Sequence, residues 1–189
     1  MNINTVGYWD EKHRVSDPKK NYNSCHKVLY DTIAAYIGDE DKVLDVGCGA
    51  GTLILALGDK RINNYYGIDF SNIAIANLVK TLPELEGRAK VSSCNRLEYL
   101  DNEFDVVIIC ELLEHLDDEV MLETLDEARR VLRSSGRLII SVPNDSEPKH
   151  YEHVRAFDTH SLGELVEKKT PDFQISEIGS KWFVLVARS

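Results

Sequence analysis

Apolar runs alternate with segments of helical periodicity over residues 42–143 of the chain. Five of the apolar runs are predicted to be strands, and the last two are almost continuously apolar, as strands covered on both faces are. Helices are predicted to begin near Thr52, Ser71 and Asp118. This alternation is typical of βαβ units around a parallel sheet, so it predicts an α/β fold. The five predicted strands are residues 42–47, 64–69, 89–94, 104–110 and 137–143.

The pattern changes on the C-terminal side of this region. The helix that begins at Asp118 has apolar residues at helical spacing, and Gly136 is placed to end it. A polar loop follows the fifth strand, and then come a short predicted helix at 159–169 and two apolar runs. The two runs lie too close together for a crossover helix, so we expect an antiparallel pair at the sheet edge. An opening helix is predicted over residues 24–38.

The length of 189 residues fits one domain with its own core. We expect a lid and helix at 1–38, a cofactor-binding core at 42–143, and a substrate loop, helix and edge strands at 144–189. No apolar run reaches the roughly 18 residues of a membrane span. The first residues also lack the pattern of a secretory signal. We therefore expect no membrane partner, a cytoplasmic location, and a monomer or homodimer.

Charge and cysteine usage narrow the expected partners. The formal net charge is −10, and no cluster of Lys and Arg forms a stripe that would follow phosphates. This argues against broad nucleic-acid binding and leaves open a local site for an RNA end or nucleotide. The four cysteines are widely spaced without a CxxC pair, which predicts reduced thiols. Cys48 and Cys110 are expected to pack as buried thiols.

The most informative segment is residues 45–51, Asp-Val-Gly-Cys-Gly-Ala-Gly, which follows a strand and opens a helix. Glycines permit positive φ and a close approach of ligand to backbone. A phosphate loop would contain Gly-Lys-Ser/Thr, and a dinucleotide loop would be GxGxxG. Here GxGxG follows Asp45, which suits a ligand with a positive amino group and no pyrophosphate.

A second carboxylate, Asp69, ends the next predicted strand. It lies about 20 residues beyond the loop, where a carboxylate can accept hydrogen bonds from both hydroxyls of a ribose. The alternative is that Asp69 is only a helix N-cap or a loop residue. The loop and Asp69 together predict a site for a nucleoside-containing cofactor.

These segments resemble the class I S-adenosylmethionine-dependent methyltransferases over roughly residues 42–144. VLDVGCGAGT is similar to their first motif, YYGIDFS to the second, FDVVIICELLEHL to the fourth-strand motif and LRSSGRLIISVPN to the fifth-strand motif. The resemblance implies a Rossmann-like, seven-stranded, mostly parallel sheet with helices on both faces and an antiparallel edge strand. It also implies an enzyme that uses S-adenosylmethionine in direct in-line methyl transfer.

The resemblance implies which residues hold this donor. Gly47 and Gly49 would lie against its methionine part, Asp45 near its amino group and Asp69 on its ribose hydroxyls. After the third strand the family often has an acidic residue that faces the adenine amino group, whereas this chain has Asn95, whose amide oxygen is expected to substitute. The full predicted donor set is Asp45, Gly47, Cys48, Gly49, Asp69, Phe70, Asn95, Arg96 and Cys110.

Glu111, Glu114 and His115 follow the fourth strand, at the carboxyl end of the sheet, where substrates meet cofactors in open α/β folds. On a helical turn, Glu111 would share a face with the other two. In one interpretation His115 is a general base for a substrate hydroxyl, and a glutamate orients its ring. In the other, the three residues bind Mg, Mn or Zn, which acidifies the hydroxyl. A third interpretation is that Glu114 and His115 occur because many small-molecule methyltransferases have xxEHL at this point. The histidine would then line the site without binding metal.

The ExxEH string resembles that of the small-RNA 3′-end 2′-O-methyltransferases, which bind metal through it together with a later His, and is similar to that of the ubiquinone-pathway O-methyltransferases. By this resemblance His153 would complete a metal site with Glu111, Glu114 and His115. The alternative is that His153 is a loop residue whose neighbours Arg155 and Asp158 pair with each other. The remaining histidines are predicted to lie at the surface, and they are His13, His26, His150 and His160.

Tyr8 and Trp9 join no predicted strand or helix, although an exposed Trp is unfavourable. They are predicted to fold over the cofactor or, alternatively, to cover an apolar groove at the sheet edge. Together with His153 and Arg155 they are the predicted substrate-side residues. The absence of a large insertion after the fifth strand favours a small acceptor.

The sequence thus favours O-methylation of a small molecule, with His115 as base or metal ligand. The first alternative is a metal-dependent 2′-O-methyltransferase of an RNA end or nucleotide. The second is a non-catalytic cofactor-binding subunit that serves a partner protein.

Overall fold

The computed structural model describes residues 4–16, 18, 26–145, 148, 150–168 and 170–188. The first two residues of the predicted opening helix and the last residue of the predicted helix at 159–169 lie outside the described residues. The chain divides into two compact units, Met1–Cys94 and Asn95–Ser189. The single domain expected over residues 1–189 stays a prediction.

The first unit contains three parallel strands and four α-helices among its described residues. Strand β2 lies in the middle and pairs in parallel with β1 and β3. The predicted strands and helix starts are confirmed, although the third strand ends at Val91, three residues earlier than expected. The elements are α1 (Val6–Arg14), α2 (Lys27–Ala34), β1 (Val43–Val46), α3 (Thr52–Leu57), β2 (Tyr65–Asp69), α4 (Asn72–Thr81) and β3 (Ala89–Val91), with 3₁₀ helices at Asp59–Asn64 and Pro83–Leu85.

Helix α1 was not predicted. The Thr5 side chain caps it by accepting a hydrogen bond from the Tyr8 backbone N–H at 3.3 Å. None of the nine described residues of α1 is buried, so the helix carries no apolar stripe that periodicity would reveal. It packs against α4 through polar contacts. Tyr8 and Trp9 therefore belong to a helix, contrary to the expectation that they join no element.

The second unit contains the remaining four strands. β4 pairs in parallel with β5, β5 pairs antiparallel with β7, and β7 pairs antiparallel with β6. The predicted antiparallel pair of C-terminal runs is confirmed. The elements are β4 (Phe104–Cys110), a 3₁₀ helix (Leu113–His115), α5 (Asp118–Val131), β5 (Leu132–Pro143), α6 (Thr159–Glu167), β6 (Phe173–Ile178) and β7 (Trp182–Arg188).

The predicted end of helix α5 at Gly136 is wrong. The helix ends at Val131, and Leu132 is already extended with φ −77° and ψ 135°. Gly136 instead permits close packing inside β5, because a Cβ there would lie 2.9 Å from the Asp105 carbonyl oxygen and 2.6 Å from Leu132 Cδ1. The β4–β5 register also shifts between Phe104 and Val106, which accommodates the residues between Leu132 and Gly136.

The strands make up a seven-stranded mixed sheet, mostly parallel and with an antiparallel edge. The predicted Rossmann-like α/β fold is therefore confirmed. All four residues of β1 and six of the seven residues of β7 are buried, which accounts for their apolar sequences. Within the described part of the chain, no helix is long and apolar enough to cross a membrane.

Candidate functional site

The Gly-rich loop of the first unit runs from the end of β1 to the start of α3. Gly47, Gly49 and Gly51 have positive φ angles of 79°, 53° and 89°, which L side chains rarely adopt. The backbone N–H groups of Gly47 and Cys48 both donate to the Ile68 carbonyl oxygen, at 2.8 and 2.9 Å. These bonds hold the loop against the end of β2, so the three glycines are required by the backbone path.

Asp69 lies at the end of β2 and is buried. Its Oδ2 accepts a hydrogen bond from the Gly49 N–H, and its Oδ1 accepts one from the Ser71 N–H, both at 2.9 Å. Burial raises the pKa of Asp69, and the hydrogen bond from Ser71 opposes that shift. Ser71 rather than Asp69 caps α4, because its Oγ accepts from the Ala74 N–H at 3.0 Å. Each carboxylate oxygen has a second lone pair with which to accept from a hydroxyl.

Asp45 is the other predicted donor-site carboxylate, and only 1% of it is exposed. Its Oδ2 accepts from the Tyr65 hydroxyl at 2.6 Å, whereas its Oδ1 has no hydrogen-bond partner among the described residues. Burial raises the pKa of Asp45 to about 7. A buried carboxylate oxygen without a partner is unfavourable unless a cation or donor meets it. The site therefore fits a ligand that brings a positively charged amino group.

Cys48 packs as predicted for a buried thiol. A Cβ on Gly67 would lie 2.9 Å from the Cys48 Sγ, so the side chain lies close against β2. Burial raises the pKa of the Cys48 thiol well above its ordinary value. Phe70 follows β2 directly and is half-buried. Contact of either residue with a donor stays a prediction.

His13 is not a surface residue, contrary to the prediction. Its ring lies next to Gly49, because a Cβ there would be 3.2 Å from His13 Cε1. The motifs alone did not reveal this position, since His13 has no neighbouring motif and α1 has no apolar stripe. A possible N-cap at Thr5 was the signal that would have placed His13 in the last turn of a helix.

In the second unit, Glu111 marks a sharp change of direction after β4. Its backbone is left-handed, with φ 53°, and the following 3₁₀ helix spans only Leu113–His115. The predicted helical turn that would place Glu111 on one face with Glu114 and His115 is therefore not formed. The Glu111 carboxylate accepts from Ser141 Oγ and from Trp182 Nε1, each at 3.0 Å. Burial raises its pKa to about 7, and both hydrogen bonds oppose that shift.

Glu114, His115 and His153 form the acid and imidazole cluster of this unit. One ligand atom from each lies within 4.8 Å of the others. Glu111 is not in this group, so the predicted set of four metal ligands becomes a set of three. The rings of His115 and His153 meet edge to face, with centroids 4.9 Å apart.

The surroundings of His115 determine which of its nitrogens carries a proton. Nδ1 lies 3.1 Å from the Glu152 carbonyl oxygen, which can only accept, so Nδ1 carries a hydrogen and, in the neutral ring, the lone pair is on Nε2. Glu114 Oε1 lies 3.8 Å from Nε2. Burial raises the pKa of Glu114 well above its ordinary value, and the nearby Glu111 raises it further. Glu114 Oε2 finds no hydrogen-bond partner in the described part of the chain.

Hydrogen bonds hold the loop that carries His153 to the segment before α5 and to the first residue of α5. The Val154 N–H donates to the Glu114 carbonyl oxygen at 2.8 Å. Arg155 donates through Nη1 to Asp118 Oδ1 at 2.6 Å and through Nη2 to the Leu116 carbonyl oxygen at 2.5 Å. The alternative in which Arg155 pairs with Asp158 is therefore wrong, since Asp158 caps α6 instead. Arg155 positions the loop, and its predicted contact with substrate stays a prediction.

Three predicted donor residues of the second unit have contacts within that unit or lie at its surface. Asn95 Nδ2 donates to Glu123 Oε2 at 2.7 Å, and Arg96 is exposed. Cys110 is half-buried, and its Sγ lies 3.2 Å from Ser141 Oγ. Their roles toward a donor stay predictions.

The residue pattern did not reveal the roles of Ser141, Glu152 and Trp182 at this site. Trp182 is buried in β7, and its indole N–H donates to the Glu111 carboxylate. Ser141 is a lone hydroxyl in the apolar part of β5, and a buried polar residue in such a strand is a signal of a hydrogen-bonded role. Glu152 contributes its backbone carbonyl, which leaves no trace in the residue pattern.

The chain is similar in sequence to known methyltransferases. Residues 43–136 match the family model described as a methyltransferase domain. The chain is 32% identical over 142 residues to a probable S-adenosylmethionine-dependent methyltransferase of Mycobacterium tuberculosis, a match that covers 72% of this chain and 48% of that protein. It is 28% identical over 172 residues to a ubiquinone biosynthesis O-methyltransferase of Pseudomonas aeruginosa, with 88% of this chain and 70% of the relative covered.

The fold is also similar to solved structures. A SAM-dependent methyltransferase from Aquifex aeolicus superimposes with a TM-score of 0.70 at 20% identity, with 91% of this chain and 98% of that chain covered. At this identity the similarity concerns the fold alone. The chain spans about half the length of the Mycobacterium tuberculosis relative, since the match covers 48% of that protein.

Proposed function

Because the chain belongs to the class I S-adenosylmethionine-dependent methyltransferase family, we propose that it transfers a methyl group from S-adenosylmethionine to an oxygen of a small-molecule acceptor. When bound, S-adenosylmethionine supplies an electrophilic methyl group on a sulfonium centre. The Pseudomonas aeruginosa relative is named as an O-methyltransferase, which supports oxygen as the acceptor atom. The net charge of −10 supports a small acceptor over nucleic acid.

Residues of the first unit would hold the donor. The Asp45 Oδ1, which lacks a partner among the described residues, would meet the ammonium of the methionine part. Asp69 would accept from the ribose hydroxyls through the lone pairs left by its two backbone hydrogen bonds. Gly47 and Gly49 would let the backbone approach the ligand. Ionised Asp45 attracts the ammonium, so the donor would be held best above the pKa of this carboxyl.

The observation that carries the proposal for oxygen is the state of His115. Its Nδ1–H donates to the Glu152 carbonyl, so in the neutral ring the basic lone pair is on Nε2, in a buried position. Such a nitrogen can remove the proton of an acceptor hydroxyl as the methyl group is transferred. The Glu114 carboxylate, 3.8 Å away, would when ionised stabilise the imidazolium that forms as the substrate proton arrives on Nε2. An amine acceptor that is already neutral would need no such base.

The test uses His115→Gln, which keeps a polar group of similar length but cannot serve as a base. We expect His115→Gln to bind S-adenosylhomocysteine with the affinity of the wild type and to lose methyl transfer by 100-fold or more, the usual scale of a general base. Transfer would be followed as S-adenosylhomocysteine formed with a panel of phenols, alcohols and amines. Unchanged transfer by His115→Gln, or transfer to amines alone, would refute the proposal.

A second candidate is metal-dependent O-methylation, including 2′-O-methylation of an RNA end or nucleotide. The grouping of Glu114, His115 and His153 within 4.8 Å favours it, because one carboxylate and two imidazoles are ligands for Zn²⁺ or Mn²⁺. These residues would hold the ion, which when bound would acidify a hydroxyl. Glu111 would act outside this ligand set, held by Ser141 and Trp182.

Elemental analysis and chelation separate the two candidates. Metal-dependent transfer predicts one bound ion per chain, loss of activity with chelator, and loss of the ion in His153→Ala but not in the matched control His160→Ala, whose side chain is exposed. Activity that is indifferent to chelation but absent in His115→Gln leaves only the general base. A non-catalytic subunit would instead keep its biological role when Glu111, Glu114 and His115 are all replaced.

A further inference from the structure

Helix α1 brings an imidazole to the Gly-rich loop within the first unit. The His13 ring occupies the space beside Gly49, where an added Cβ would lie 3.2 Å from Cε1 and 3.9 Å from Nε2. Any side chain at position 49 would therefore displace the ring. Gly49 also donates its N–H to Asp69 Oδ2 at 2.9 Å, so His13 and Asp69 both lie at the same loop residue.

Polar contacts hold α1 in this place. Asp10 Oδ1 accepts from Ser71 Oγ at 2.5 Å and from the Ile73 N–H at 3.3 Å. At the other end of the helix, the Asn77 side chain donates to the His13 carbonyl oxygen at 2.8 Å. Helix α1 is thus attached at Asp10 and, one turn later, at His13. These two attachments set the position of the His13 ring.

The surroundings of the ring leave one nitrogen for a ligand. His13 Nδ1 is buried, and no described residue offers it a hydrogen bond. Burial lowers the pKa of His13, whereas the nearby carboxylates of Asp69 and Asp10 raise it by a smaller amount. The ring is therefore neutral near pH 7, with one nitrogen that donates and one that accepts. A buried ring nitrogen without a partner is unfavourable unless a ligand completes its hydrogen bond.

We propose that His13 is a donor-binding residue whose Nδ1 forms a hydrogen bond with a ribose hydroxyl that Asp69 also holds. This inference rests on the proposed function and adds a residue from outside the motifs to the donor site. A hydroxyl both donates and accepts, so it can donate to the Asp69 carboxylate and accept a second hydrogen bond from the His13 Nδ1–H. Helix α1 is then part of the donor site, and the ribose diol is the chemical group that it recognises.

Binding of S-adenosylhomocysteine, measured by titration calorimetry on the full chain, tests the proposal. The variants are His13→Ala, His13→Asn, whose amide nitrogen lies near the position of Nδ1, and His13→Gln, whose amide lies near that of Nε2. We expect a loss of about 10-fold in affinity for Ala and Gln, the scale of one hydrogen bond, and less than about 3-fold for Asn. His160→Ala, at an exposed position, serves as the matched control and should bind as the wild type does.

Deoxy analogues of the ligand separate binding from a structural role. If His13 contacts a ribose hydroxyl, either the 2′-deoxy or the 3′-deoxy form of S-adenosylhomocysteine should bind equally well to the wild type and to His13→Ala. A residue that only supports the fold would weaken all three ligands by the same factor. Melting temperatures without ligand show whether a variant is folded. If His13→Ala is not folded, the comparison of His13→Asn with His13→Gln decides whether His13 binds the ligand.

The outcomes distinguish this inference from the proposed function. If the wild type does not bind S-adenosylhomocysteine, the proposed function fails. If the wild type binds and Asp69→Ala weakens binding while His13→Ala binds equally or more tightly, the function stands and the inference is overturned. Tighter binding would mean that the ring covers the loop and must leave. Equal losses for His13→Asn and His13→Gln would overturn the assignment to Nδ1.

Discussion

Replacing Asp45 with asparagine is expected to stabilise the ligand-free protein at neutral pH while weakening its binding of the donor. Asp45 is only 1% exposed, and burial raises its pKa from 3.8 to about 7. Above that pH the folded protein holds a buried carboxylate whose Oδ1 lacks a partner among the described residues. Asparagine has nearly the same shape and can still accept from the Tyr65 hydroxyl, but it carries no charge to bury.

The sign and size follow from proton linkage. Between pH 3.8 and about 7 the folded Asp45 keeps its proton and the unfolded one has lost it, so the unfolding free energy falls as pH rises. The slope is about 1.4 kcal/mol per pH unit, and the full difference is at most about 4 kcal/mol. Asp45→Asn removes this slope. The unfolding free energy of Asp45→Asn should therefore exceed that of the wild type by a margin that grows by about 3 kcal/mol from pH 5 to pH 7 and is constant above that.

Urea unfolding of both proteins at several pH values from 5 to 8 measures the gap. Asp172→Asn, at an exposed position, is the matched control and should differ from the wild type by less than about 0.5 kcal/mol at every pH. The same Asp45→Asn protein should bind S-adenosylhomocysteine roughly 10-fold to 100-fold less tightly, the scale of a hydrogen bond to a charged group. A gap that stays constant with pH would show that Asp45 ionises normally and would refute the reasoning.

Two further predictions concern Gly51 in the Gly-rich loop and the Glu111 carboxylate. Gly51→Ala should destabilise the protein by about 1–3 kcal/mol more than Gly58→Ala in denaturant unfolding, since both positions have positive φ but only at Gly51 would a Cβ meet Leu78, at 2.3 Å. Equal losses would show that backbone strain alone matters there. Trp182→Phe removes the N–H that donates to Glu111 at 3.0 Å, so the pKa of Glu111 should rise above about 7 by roughly one unit. The fall in unfolding free energy with pH should then extend to higher pH, and an unchanged profile would contradict this role for Trp182.

The βαβ alternation predicted the strands because it rests on burial, which leaves a pattern in the residues. The runs at 42–47 and 104–110 are buried on both faces, and their boundaries agree with β1 and β4 within one residue. The end of α5 was misplaced for a local reason. Residues 132–136 contain a glycine that suits a helix end, but Leu132 follows the path of β5 and Gly136 is needed for contact with Asp105.

The candidate site was predictable where motifs carry it and not where tertiary contacts do. The positions of Asp45 and Asp69 follow from two strand ends and one glycine pattern. The position of His13 depends on polar contacts of Asp10 and Asn77, which lie far apart in sequence and have no periodic signature. Similarly, the left-handed backbone of Glu111 removes it from the turn that simple helical spacing assumed.

Calorimetric titration of the ligand-free protein with S-adenosylhomocysteine tests the central claim most directly, because it needs no knowledge of the acceptor. We expect saturable binding at one site per chain, with a loss of about 1–3 kcal/mol for Asp69→Ala, the scale of a buried charged hydrogen-bonding group. Wild-type protein that releases no heat and shows no thermal shift with either S-adenosylmethionine or S-adenosylhomocysteine would contradict the account. Full affinity in Asp69→Ala would remove that carboxylate from the donor site.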